Sequence, residues 1–222
     1  AIKGSLWSLM ETFSMQVVQF FVSIVLARIL DPRDYGLIAI TGIFTAISAA
    51  ITDGGFEKTI IRQKDITETQ VSTVFYINLV LGILMTLILM LFAPTIARFF
   101  KDDALIPLLR VVSISITLTA LGQIQQILLM KELQFKKISF ARITASWVSG
   151  ISGVTFALNG FGVWSLVYSS LSYQVVILCF YWIKSSWYPK LLFSYSSVRP
   201  VIPYGLNVLF SSIFYFVIQQ FN

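Results

Sequence analysis

Histidine is absent from the 222 residues, and cysteine occurs once, at Cys179. The first absence removes the side chain most often used for acid–base chemistry near neutral pH or for holding zinc. The second leaves nothing from which to build a disulfide framework or a cysteine metal site. Neither a metal nor another cofactor is expected. Charge is scarce as well, with Asp, Glu, Lys and Arg making 12% of the chain against 57% hydrophobic residues. A soluble domain of this length has too little polar surface at that composition to cover its core.

What the chain has instead is long apolar runs. The first, residues 6–27, is long enough to cross roughly 30 Å of hydrocarbon as a helix. It exceeds the apolar region of a signal peptide, and no small-residue cleavage site follows it. Comparable runs occupy residues 37–52, 71–93, 111–130, 143–158 and 161–183, and a seventh begins near residue 201. The fold class expected is therefore all-α, a polytopic inner-membrane helical bundle.

Two of these runs carry polar side chains in register. Thr12, Gln16, Gln19 and Ser23 recur at steps of four, three and four, with Glu11 beside the outer end of that face. Ser115, Thr119, Gln123 and Gln126 do the same in the fourth run. Helical spacing of this kind puts each set on one face. In lipid such a face would lose its water at a cost of several kcal/mol, so both should turn toward other helices or an aqueous interior.

The connections supply further expectations. Pro32 and Gly36 suit a tight turn over residues 28–36, and Pro94 marks the far end of the third run. Gly42, Ala46 and Ala50 form a small-residue stripe suited to close helix packing. Residues 57–70 read as an interfacial polar segment, residues 131–142 as the most basic connection, and Asn159-Gly160 as the turn of a helical hairpin. Trp7, Trp164, Trp182 and Trp187 fall near run ends, where an indole can place its N–H toward water.

The formal charge of +6 does not point to nucleic acid, because the basic residues sit in short connections between apolar runs. Lys3, Lys58, Arg62, Lys64, Lys131, Lys136, Lys137, Arg142, Lys184, Lys190 and Arg199 lie on one side, eleven in all. The other side has five: Arg28, Arg33, Arg98, Lys101 and Arg110. Positive residues favour the cytoplasm, so the amino terminus is predicted inside.

Three passages add a likeness to a known family. They are Ala27-Arg-Ile-Leu-Asp-Pro-Arg-Asp-Tyr-Gly36, Asp53-Gly-Gly-Phe-Glu-Lys-Thr-Ile-Ile-Arg-Gln63 and Asn159-Gly-Phe-Gly-Val-Trp-Ser-Leu-Val167. With these, the chain resembles the polysaccharide flippases of the multidrug/oligosaccharidyl-lipid/polysaccharide exporter superfamily, in its colanic acid and lipopolysaccharide exporter branch. Asp31, Pro32, Tyr35, Gly36, Asp53, Gly54, Gly160, Gly162 and Trp164 carry the likeness and are expected to be structural.

The resemblance implies the first half of a two-lobed transporter, with an amino-terminal six-helix lobe at residues 1–197 and the beginning of a second lobe at 198–222. It also implies a cargo, an undecaprenyl-diphosphate-linked oligosaccharide moved by alternating access from the cytoplasmic to the periplasmic leaflet, and no enzymatic step. The partners implied are that lipid-linked cargo, membrane lipids, the carboxy-terminal lobe and polysaccharide assembly machinery.

Such a cargo needs hydroxyls, amides and cationic groups in place of water. Gln16, Gln19, Thr119, Gln123 and Gln126 are the candidate lining groups, and Arg142 is the candidate diphosphate contact, with snorkelling to lipid headgroups as the alternative. Glu11 stands open between an interhelical ion pair, a proton-sensitive gate or coupling group, and hydration at the cytoplasmic mouth. The competing functions are a multidrug or small-cation exporter of the same superfamily, a membrane enzyme acting on a lipid-linked substrate, and a scaffold that transports nothing.

Overall fold

The computed structural model describes residues 2–53, 60–61 and 66–194, and every regular element in them is helical. The order is α1 (Ile2–Ile29), α2 (Pro32–Asp53), α3 (Glu68–Phe100), α4 (Leu105–Val112), α5 (Ile114–Lys131), α6 (Phe135–Leu158) and α7 (Val163–Lys184). Among the described residues, five stretches are long and apolar enough to cross a membrane: Leu9–Ile29, Pro32–Thr52, Glu68–Phe100, Leu105–Lys131 and Val163–Lys184. The fourth of these is α4 and α5 together, bent at Ser113, whose carbonyl accepts a hydrogen bond from the Thr86 hydroxyl of α3 at 3.0 Å. α6 carries Lys136, Lys137 and Arg142 in its first half, yet its 24 residues reach about 36 Å. It packs against α7 and α1, which makes six long helices among the described residues when the bent α4–α5 pair is taken as one.

The packing is that of a membrane bundle. Large side chains such as Leu91, Phe92 and Ile183 face outward, while Ala93, Ala97, Ala120, Ala141 and Ala145 are fully enclosed. Between helices in lipid there is little hydrophobic drive to associate, so close approach over small residues and interhelical hydrogen bonds take its place. At Gly82 an added Cβ would lie 2.7 Å from the Ala120 Cβ, and at Gly153 it would lie 3.0 Å from the Ser169 Oγ. The expected stripe on α2 does not do this: Gly42 has nothing within 4 Å, and Ala46 is exposed.

Several connections are shorter than the sequence suggests. The turn expected over 28–36 contracts to Leu30 and Asp31, because Pro32 starts α2, where its missing N–H leaves no gap in the helix. The Asp34 carboxylate reaches back to accept the Asp31 N–H at 3.3 Å. Tyr35 and Gly36 are accordingly helical. Pro94 lies inside α3, which continues to Phe100 and stops where Lys101 takes a left-handed conformation. The basic connection of 131–142 is mostly the start of α6, with Lys136, Lys137 and Arg142 on the helix. The hairpin turn stands, with Gly160 and Gly162 at φ +80° and +52°.

The tryptophans divide. Trp7 lies under the Lys136 ammonium at 5.4 Å, while Trp164 packs against the core around Leu37 and Val167. The Trp182 N–H donates not to water but to the Leu121 carbonyl at 3.1 Å. Gly54, and the expected seventh helix and second lobe at 198–222, lie outside the described residues.

Candidate functional site: a polar track along α1, α6 and α7

Glu11, about two and a half turns into α1, meets α6 near its beginning. Its Oε1 accepts from Arg142 Nη1 at 3.0 Å, and its Oε2 accepts from Ser139 Oγ at 2.6 Å. Both partners are on α6, three residues apart and therefore on one face. The pair is partly enclosed, the Glu11 side chain being 12% exposed and that of Arg142 31%. An ion pair at this depth is favourable only when its remaining lone pairs are also met, which is the part that Ser139 plays.

The pair borders a cavity of about 280 Å³ whose wall includes Thr119, Gln126, Tyr173 and Tyr181. A second cavity, about 550 Å³, lies farther along α1 and is lined by Gln16, Gln19, Ser146, Ser149 and Ser170 among others. Met15 and Tyr173 line both, so the two meet there. From Glu11 to Leu26, the limits of the lining along α1, the track is about 22 Å long at 1.5 Å per residue. Among the described lining residues, only those of the Glu11–Arg142 end carry formal charge.

The predicted site residues thus separate into two groups. Gln16 and Gln19, both exposed, line the larger, open cavity; Thr119, Gln126, Arg142 and Glu11 line the smaller one. Gln123 lies in neither lining: its Oε1 accepts from the Asn78 Nδ2 of α3 at 3.2 Å. Hydroxyls on these helices mostly donate to their own backbone, as Thr119 does to the Ser115 carbonyl at 2.8 Å. The amides are then the groups best placed to serve both as donors and as acceptors for a ligand.

Sequence reading missed the face that α6 contributes. Ser139, Arg142, Ser146 and Ser149 follow one another at steps of three, four and three, the same periodicity that marked α1 and α5. Ser149 also donates to the Ser169 carbonyl of α7 at 2.9 Å, and Ser169 donates back to the Ser149 carbonyl at 2.9 Å. Gln125 was missed too. It is fully enclosed, and neither polar atom of its amide has a hydrogen-bond partner among the described residues.

The motif residues lie at the other end of the bundle. Asp31, Pro32, Tyr35 and Gly36 open α2, while Gly160, Gly162 and Trp164 form the α6–α7 turn and the start of α7. A Cβ on Gly162 would come 3.9 Å from the Asp34 carboxylate. Arg33 donates to Asp102 in the α3–α4 turn at 2.7 Å, which joins the third turn at that end to the first. The Arg33 guanidinium, and then the Ala104 N–H, hold the Asp102 carboxyl below the usual carboxylate range. Asp53 closes α2 at the opposite end. Among the described residues no group of His, Cys, Asp and Glu could hold a metal ion.

Comparison with known proteins adds the lineage. The chain is 28% identical over 210 residues to the lipopolysaccharide biosynthesis protein WzxC of Escherichia coli, covering 92% of this chain and 42% of that protein. It is 27% identical over 214 residues to the succinoglycan biosynthesis transport protein ExoT of Rhizobium meliloti, covering 96% and 43%. With the teichuronic acid biosynthesis protein TuaB of Bacillus subtilis it shares 24% identity over 208 residues, covering 92% and 43%. The chain therefore spans less than half the length of these relatives. No solved structure matches it significantly. The model of the family described as polysaccharide biosynthesis protein matches residues 25–222, and this multi-pass membrane chain belongs to that family.

Proposed function

We propose that the full-length protein is a flippase of the bacterial inner membrane, carrying an undecaprenyl-diphosphate-linked oligosaccharide from the cytoplasmic to the periplasmic leaflet by alternating access. The observation that carries this reading is the track along α1, α5, α6 and α7, where neutral amides and hydroxyls share the lining with aliphatic side chains and an arginine stands at one end. Sugar hydroxyls match the amides of Gln16, Gln19 and Gln126, which can donate or accept without carrying charge, and the hydroxyl of Thr119, which can accept while it donates to the Ser115 carbonyl. A diphosphate matches the Arg142 guanidinium, whose planar fork directs several N–H donors at phosphate oxygens. The hydrocarbon tail stays in the bilayer. The lysine- and arginine-rich connections support a cytoplasmic position for the Glu11–Arg142 end, where such a cargo is loaded.

Relatives named for lipopolysaccharide, succinoglycan and teichuronic acid biosynthesis support a polysaccharide precursor as cargo. A small-cation exporter needs a carboxylate available for exchange, whereas Glu11 already accepts from both Arg142 and Ser139. The second lobe and the polysaccharide assembly machinery complete this picture as partners.

The test is leaflet transfer of labelled undecaprenyl-diphosphate oligosaccharides by the full-length protein in proteoliposomes, with binding measured in parallel. Arg142→Ala is expected to weaken binding about 10- to 100-fold, the range set by losing a charge-assisted hydrogen bond, and Arg142→Lys to weaken it less. Equal binding by wild type and both variants would remove Arg142 from the site. Cation exchange without transfer of any labelled glycan lipid would overturn the flippase reading as a whole.

A further inference from the structure

We propose that Glu11 is a built-in competitor for the anion that Arg142 receives: an arriving diphosphate displaces the carboxylate from the guanidinium, and the returning carboxylate displaces the diphosphate. The proposal rests on the reading that Arg142 takes the cargo's diphosphate.

Three features of the geometry point to it. First, Glu11 is paired with Arg142, and both residues line the same cavity. An anion entering there meets a cation that is neutralised, not a bare one. Second, the hold is partial. Arg142 gives Glu11 a single hydrogen bond, at 3.0 Å through Nη1, although a guanidinium has five N–H donors and can grip a carboxylate with two in parallel. A diphosphate with more oxygens can take more of those donors than Glu11 does. Third, the displaced carboxylate has a second anchor. Ser139 donates to Oε2 at 2.6 Å, so Glu11 can leave the guanidinium while keeping one strong hydrogen bond.

The exchange resolves a conflict inside the proposed function. An unpaired, partly enclosed arginine, bordered by Met15, Leu118, Ile177 and Leu178 as well as by neutral polar groups, would be costly to keep while the cavity is empty. The same arginine without a rival would hold a diphosphate too firmly to let it go, and a conducting site has to bind weakly enough to empty. One carboxylate on a neighbouring helix answers both needs. Because Glu11 is on α1 and its partners are on α6, each exchange also makes or breaks an ion pair between the two helices.

The experiment is equilibrium binding of fluorescent undecaprenyl diphosphate to the full-length protein in phosphatidylcholine nanodiscs, together with leaflet transfer in proteoliposomes. Glu11→Gln, which removes the rival charge and keeps the shape, is expected to bind about tenfold tighter than wild type and to transfer more slowly because release is delayed. Ser139→Ala, which loosens the hold on the carboxylate without removing it, should shift binding by two- to threefold. In the double variant Glu11→Gln with Arg142→Ala the gain should vanish. Inorganic diphosphate should compete with the probe better in Glu11→Gln than in wild type, and phosphatidylglycerol in the discs should compete poorly in both. Unchanged or weaker probe binding by a Glu11→Gln protein whose melting temperature matches wild type would overturn the proposal, as would phosphatidylglycerol competing as well as diphosphate. If Arg142→Ala alone binds like wild type, it is the underlying diphosphate reading that fails.

Discussion

Gln123 and Gln126 lie three residues apart on α5 and look interchangeable in the sequence, yet they have different work. Gln123 ties α5 to α3 through Asn78, whose own Oδ1 is buried with no hydrogen-bond partner; Gln126 borders the cavity beside Arg142. Gln123→Ala should therefore destabilise the bundle by about 0.6–1.7 kcal/mol, the range for interhelical hydrogen bonds in membranes, read as a lower melting temperature in detergent. Gln126→Ala should leave the melting temperature near wild type and slow the glycan-lipid transfer proposed for the full-length protein. A reversed pattern would interchange their roles. Periodicity found the face but could not separate the two fates, because that depends on Asn78, which is 45 residues earlier. Arg142 was legible as a cation near a membrane surface. Its engagement by Glu11 was not, since the two are 131 residues apart.

Helix existence was the most readable feature of this chain, and helix ends the least. The spans were visible because about 20 apolar residues have no other way to satisfy their backbone in lipid. Their ends were not, because the usual stop signals are overruled here. Pro94 is accommodated within α3, and the cations at the start of α6 sit on the helix, where long side chains can reach the interface or, for Arg142, a carboxylate. Glycines show the same dependence on neighbours. Gly36 is helical with nothing within 4 Å, so Gly36→Ala should stabilise the protein by about 0.4–1 kcal/mol through the unfolded chain. In Gly82→Ala the added Cβ meets the Ala120 Cβ at 2.7 Å, which cannot rotate away, and the expected loss is about 1–3 kcal/mol. Thermal melting of both variants checks the pair; a loss at Gly36 would restore the turn that the sequence suggested there.

Taken as a whole, the bundle is fastened differently at its two ends. The three family-like passages were legible as motifs, and two of them meet where the α1–α2 and α6–α7 turns adjoin. Nothing in the sequence paired Arg33 with Asp102 to bring in the α3–α4 turn. That pair makes a pH prediction. Since the Asp102 carboxyl is held below its usual range, its contribution to stability is fully present above the ordinary carboxylate value and fades as pH falls through the lowered one. Asp102→Asn should thus melt below wild type at pH 7 and by a similar margin at pH 5, with the gap closing only in stronger acid. A gap that closed by pH 5 would show that the pair is not made.

Formal charge at only one end of the 22 Å track has a consequence for any elongated molecule that enters it. A negatively charged terminus finds one address along the whole length, while an uncharged remainder meets scattered amides and hydroxyls between aliphatic side chains. Such a lining dictates which way round a guest lies and stays indifferent to much of what the guest is made of.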